Sequence, residues 1–145
     1  MNWVERRVSR QRALNTGSPE VWNVVRQSIQ DACESYTQIC GPNPDRQVKC
    51  QLENGKRVRI SKSLRLKHTD GHRDDVTTIV VSFEQNPPKI NVAGEGPMES
   101  LDVFISSDEE SAFIGSTKGA LSADALCERI LSPLLFPTVK YTNLP

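Results

Sequence analysis

Gln47-Val-Lys-Cys-Gln-Leu-Glu-Asn-Gly-Lys-Arg-Val-Arg-Ile60 is the stretch in which the chain changes its period. Val48, Cys50 and Leu52 alternate with polar residues, Asn54-Gly55 intervenes, and Val58 and Ile60 resume the alternation. A period of two belongs to a strand with one buried face, and Asn-Gly between two such runs is a strong hairpin signal. A two-residue loop sets Leu52 against Arg57 and Cys50 against Arg59, mixing apolar and cationic side chains on one face. A three-residue loop, Glu53-Asn54-Gly55 with Gly55 left-handed, pairs Cys50 with Val58 and Val48 with Ile60, and is the expected turn.

Upstream the period is helical. Trp22, Val25, Ile29, Cys33, Tyr36 and Cys40 recur at steps of three and four, which predicts an amphipathic helix over residues 19–40. Ser18 is placed to cap it, with Pro19 at the first helical position and Glu20 near the positive end of the dipole. Gly41 and the prolines at 42 and 44 end it. Before the apparent break at Asn15-Thr-Gly-Ser, residues 2–14 read as a separate short helix carrying Arg6, Arg7, Arg10 and Arg12.

Downstream, the polar run from His68 to Asp75 reads as a loop. Val76 to Phe83, apolar on both faces, reads as a central strand. Lys89 to Ala93, Leu101 to Ser106 and Ala112 to Ser116 follow across short connections, and short connections favour an antiparallel meander because parallel neighbours need longer crossovers. Ser122 caps a last helix over residues 122–135, with Leu126, Ile130, Leu131 and Leu134 on its apolar side and Pro133 near its end. The expected fold is α+β, an antiparallel five- to six-stranded meander over residues 47–116 with two N-terminal helices and one C-terminal helix packed on one face. At 145 residues one domain is expected.

The formal net charge is zero, yet the charge is divided along the chain. Thirteen Lys/Arg stand against six Asp/Glu from Met1 to Lys67, and five against twelve from His68 to Pro145, a difference of +7 and −7. The densest positive run, Lys56 to Lys67, holds six cations and no acid. Strand alternation sends Arg57, Arg59, Ser61, Ser63, Arg65 and Lys67 to one side and Val58, Ile60, Leu64 and Leu66 to the other. Such a row suits an anionic partner, and it equally describes the wet face of an edge strand matched by acids on its neighbours. With no aromatic side chain between the cations and a pI of 6.7, nucleic acid is not the expected partner.

Other chemistries find little support. His68, His72, Asp70, Asp74 and Asp75 hold metal-ligating atoms, but Gly71 and the polar surroundings predict a turn in place of a helix that aligns an i, i+4 pair. No nucleophile elbow occurs, and Gly94-Glu-Gly-Pro and Gly115-Ser-Thr-Lys-Gly lack dinucleotide and Walker spacing. Cys33, Cys40, Cys50 and Cys127 match no CxxC pattern and read as buried free thiols of a cytoplasmic protein. No run reaches the roughly 20 apolar residues of a membrane span.

The expectation is therefore a non-enzymatic binding or adaptor domain without cofactor or metal. It would use an open, partly basic sheet face built from Arg57, Arg59, Arg65, Lys67, Thr78, Val80 and Phe104 to hold a protein partner. Two other classes compete. One is a small-molecule binder or enzyme with a pocket between a curved sheet and the long helix. The other is a homodimer in which a positive face meets the acidic run Asp108 to Glu110 of a second copy.

Overall fold

A computed structural model describes residues 2–41, 46–68, 71–94, 97–116 and 119–136, with backbone alone at 66–68 and 72–74. A long helix, α1 (Trp3–Cys40), leads into seven strands: β1 (Arg46–Glu53), β2 (Arg57–His68), β3 (Gly71–Glu84), β4 (Lys89–Ala93), β5 (Glu99–Ile105), β6 (Ala112–Ser116) and β7 (Gly119–Leu121). A second helix, α2 (Ala123–Leu135), follows. The strands form one antiparallel sheet in sequence order, β1 to β7. The fold is α+β and the meander is observed, with seven strands among the described residues where five or six are expected and two helices among them where three are expected.

The helix count changes because nothing breaks at Asn15-Thr-Gly-Ser. Pro19 lies inside α1, and Ser18, expected as an N-cap, is fully buried with no partner for its hydroxyl. An interior proline costs about 3 kcal/mol through its missing N–H and its clash with the preceding turn. Burying a side chain such as Val25 or Ile29 is worth about 1.5–3 kcal/mol, so two such contacts offset it. Gly17 also lets the helix lie close on the sheet, since a Cβ there would stand 3.0 Å from that of Ala112. The true cap is Asn2, whose side chain accepts the Glu5 N–H at 2.9 Å.

The first hairpin keeps the expected faces but slides its loop by one residue. Leu52 pairs with Val58, Cys50 with Ile60 and Glu53 with Arg57, in place of Cys50 with Val58 and Val48 with Ile60. The loop is Asn54-Gly55-Lys56, with Asn54 at φ 54° and Gly55 at φ 67°, and Lys56 N–H returns to the Glu53 carbonyl. This register gives Leu52 an apolar partner. It also lets Trp22 of α1 hold the turn from above: the indole Nε1 donates to the Gly55 carbonyl at 2.7 Å, and its ring stacks on Phe83 at 5.9 Å.

The run 68–75, read as a loop, is mostly strand: β2 and β3 extend until His68 pairs with Gly71. The β-branched residues 76–81 of β3 and the long partner β2 carry the ladder past the polar residues. The short β7 follows β6 across residues 117–118 of the Gly115-Ser-Thr-Lys-Gly turn, which lie outside the described set, and Ser116 pairs with Gly119 on either side of them. At the last helix the expectation holds: the Ser122 hydroxyl accepts the Ala125 N–H at 3.1 Å, and Leu126, Ile130, Leu131 and Leu134 are buried.

The core joins one face of the sheet to both helices. Val58, Ile60, Val81, Phe83, Ile90, Leu101, Val103 and Ile114 cluster with Trp22, Val25, Ile29 and Cys33 of α1 and with the buried leucines of α2. Register ties the strand members to one face, since Val58 faces Val81, Phe83 faces Ile90, Ile90 faces Leu101 and Val103 faces Ile114. Val25, Ile29, Val58, Ile60, Val81 and Ile90 have no exposed surface, so α1 is seated on the middle of the sheet.

Candidate functional site

The opposite face of the sheet carries the residues singled out from the sequence. Arg57 pairs with Ser82, Arg59 with Val80 and Ser61 with Thr78, and Arg65, opposite Asp74, lies on the same side two steps beyond Ser61. Ser61 and Thr78 hydroxyls are 3.3 Å apart, a hydrogen bond between the two strands. Val76, 55% exposed, extends the row along β3. β2 is thus an inner strand, not an edge, and its cationic side chains stand over the widest part of the sheet. Lys67 pairs with His72 at the end of this ladder, and its side chain lies outside the described residues.

Glu53 modifies the site. From the end of β1 its carboxylate meets Arg59 Nε at 2.9 Å and Arg57 at 3.8 Å. All three side chains are at least one third exposed, so the pairs orient the guanidinium groups more than they stabilise the fold, exposed ion pairs being worth about 0–1 kcal/mol. Among the described side chains on the β1–β3 part of this face, Lys49, Arg57, Arg59 and Arg65 stand beside Glu53 and Glu84, and Arg65 is paired across the ladder with Asp74. Toward β4 and β5 the charges match, with Lys89 between Glu84 and Asp102. Asn91 is buried there despite facing away from the helices, and Ser100 donates its hydroxyl to the Asn91 side-chain carbonyl.

Phe104 shares this face but not this place. By strand spacing and rise it stands about 20 Å from Arg57. It is 47% exposed and its ring stacks on Phe113 at 5.9 Å. It also lies flat over Gly115, where a Cβ would come within 2.1 Å of the ring. Of the seven residues, Arg57, Arg59, Thr78 and Val80 cluster, Arg65 and then Lys67 lie farther along β2, and Phe104 stands apart beside Phe113.

The opposite charges of the two halves meet elsewhere. Glu109, at φ 62° in the β5–β6 loop, accepts the Ser9 hydroxyl at 2.7 Å. A recess of about 470 Å³ is lined by Trp3, Arg6, Arg7, Arg10, Ser107 and Glu109. The acidic run 108–110 thus lies against the basic start of α1 in the same molecule. Asp108 is held below the usual carboxylate range by the Ser106 hydroxyl and then by the Glu110 N–H.

Lys62 is the cation that alternation sends to the covered face. It lies among apolar neighbours on the helix-covered face, and its ammonium donates to the carbonyls of Leu134 at 3.0 Å and Leu135 at 3.3 Å. It also stands 5.9 Å from the centre of the Tyr36 ring. Burial, then Arg46, lowers its pKa. A cation at a helix C-terminus satisfies carbonyls that have no intrahelical donor. The signal in the sequence was a lysine at an even position between Ile60 and Leu64.

The cysteines are all free. Cys40, the last residue of α1, is exposed and Cys50 is half-buried, both contrary to expectation. The neighbouring Cys50 thiol on β1, and then burial, push the Cys33 thiol of α1 far up, while Cys33 draws Cys50 down against the effect of burial. Cys127 is raised to about 11 by burial and then by Asp124 and Asp31. Thiols held protonated are poor nucleophiles. Among the described residues no group of three His, Cys, Asp or Glu side chains is arranged to hold a metal ion; His68 and His72 have side chains outside that set. No helix in that set is long and apolar enough to cross a membrane. Comparison with known proteins finds no matching family model, no matching curated protein and no matching solved structure.

Proposed function

We propose that the chain is a non-enzymatic binding module that holds an acidic protein segment on the helix-free face of its sheet. The observation that carries this reading is the cluster of Arg57, Arg59, Thr78 and Val80 on inner strands, with both helices seated on the other side. Two guanidinium groups oriented by one carboxylate, beside β-branched side chains, suit a ligand that alternates acidic and apolar residues. Charge supplies encounter and register; Val76 and Val80 supply apolar contact.

The test uses a fluorescein-labelled peptide alternating glutamate and valine, followed by fluorescence anisotropy. Binding is expected to saturate, and to weaken as salt rises from about 0.05 M to about 0.5 M because the Debye length shrinks. Arg57→Glu with Arg59→Glu should abolish it while the chain melts at nearly the same temperature. Equal binding by the double variant contradicts the proposal.

A further inference from the structure

α1 is not covered evenly along its length. At its C-terminal end it runs beside α2, and the two helices leave an open groove of about 560 Å³ between them. Tyr36, Leu131 and Leu135 line its apolar part, and Ile39 and Phe136 stand at its lip, 85% and 66% exposed. Asp31, Asp124 and Glu128 also line it, and no lysine, arginine or histidine does so among the described residues. The partners of these carboxylates are neutral: Gln27 donates to Asp31 at 2.9 Å and Ser28 to Asp124 at 3.2 Å. The groove is apolar with an anionic rim.

The other end of the same helix has the complementary character. Val4 and Val8, one turn apart, are 47% and 43% exposed, and Arg12 continues their stripe along a shallow recess that Glu5 and Ser9 also line. Arg7 lies beside them, one turn from Val4 and stacked toward Trp3 at 6.0 Å. An apolar ridge left open on a helix and flanked by arginines is the kind of element that helix-in-groove recognition uses, with anchors at i and i+4.

We infer that the α1–α2 groove of one molecule receives the Val4–Val8 ridge from a second copy of this chain, with Arg7 and Arg12 set against Asp31, Asp124 and Glu128. Both halves of the contact are present on one chain with opposite charge, and neither includes the sheet face. The contact is heterologous, so a molecule with its groove filled still offers its ridge, and assembly grows with concentration.

Sedimentation of the full chain over a concentration series tests this. The average mass is expected to rise with concentration and to rise less in high salt. Val4→Glu with Val8→Glu, and separately Ile39→Glu, replace exposed residues and should each weaken association about tenfold or more, with helical circular dichroism retained. Mixing the two variants restores a one-to-one complex, because one keeps its ridge and the other its groove. Arg57→Glu with Arg59→Glu leaves association unchanged, which separates this contact from binding on the sheet. A wild-type chain that stays monomeric to about 0.5 mM, association that survives both sets of substitutions, or a mixture that remains monomeric overturns the inference. So does a monomeric wild type whose groove takes only a separate arginine-rich peptide.

Discussion

The two faces of the sheet are built from the same strands, alternate residue by alternate residue, yet they do different work. On the helix side the strands present Val58, Ile60, Val81 and Ile90 without exposed surface, and Lys62 among them is tied to the end of α2. On the other side Arg57 and Arg59 share a single carboxylate and remain in reach of solvent. Lys62 and Arg59 are three residues apart and differ only in parity, so position on the pleat decides whether a positive charge secures the fold or faces outward. Stability should respond to changes on the first face, and binding to changes on the second.

The largest effect is expected at the centre of the covered face. Ile60→Ala should lower stability by about 2–5 kcal/mol in urea unfolding, through lost transfer energy and the cavity left behind, whereas Thr78→Ala should stay within about 0.5 kcal/mol. Equal losses would erase the distinction between the faces. Next comes Lys62→Met, which keeps an unbranched stem but leaves the carbonyls of Leu134 and Leu135 without their donor. A loss of about 1–3 kcal/mol is expected, with faster amide exchange confined to the last turn of α2. Exchange that accelerates throughout the sheet instead would show that Lys62 does more than secure that helix end.

How much of this the sequence disclosed follows the range of the interactions concerned. Period and capping act over a few residues, so the hairpin faces and the Ser122 cap were legible, and short connections pointed to a meander without fixing its strand order. The continuity of α1 was not, because Gly17, Ser18 and Pro19 are held helical by contacts with β6 and the core that no local window contains. The hairpin loop moved by one residue for a related reason: Trp22, more than thirty residues away, seats on Gly55. At the site, alternation placed Arg57, Arg59, Thr78 and Val80 together, but it could not locate Phe104 along β5 or reveal Glu53 as the partner of both arginines.

Smaller effects refine the comparison. Gly115→Ala should displace the Phe104 ring from its seat and cost about 1 kcal/mol, visible as altered ring-current shifts at Phe113; unchanged shifts would mean that the ring does not rest there. Raising pH probes the thiols of the covered side. The Cys127 pKa is raised from 9.0 to about 11, so its contribution is complete below pH 9 and is lost as pH rises toward about 11, when the unfolded chain releases the proton that the folded one keeps. A melting temperature that falls over this interval in wild type but less in Cys127→Ala is expected. Smallest in stability is Glu53→Gln, within about 0.5 kcal/mol for exposed pairs. It should nevertheless tighten binding of the glutamate–valine peptide by freeing both guanidinium groups.

The most direct measurement is a titration of the isotope-labelled chain with that peptide, followed residue by residue through backbone amide shifts. The account predicts saturating shifts at Arg57, Arg59, Thr78 and Val80, with Val25 and Ile29 of α1 unmoved. Shifts concentrated on α1 and α2, or no saturable shift on β2 and β3, would contradict it.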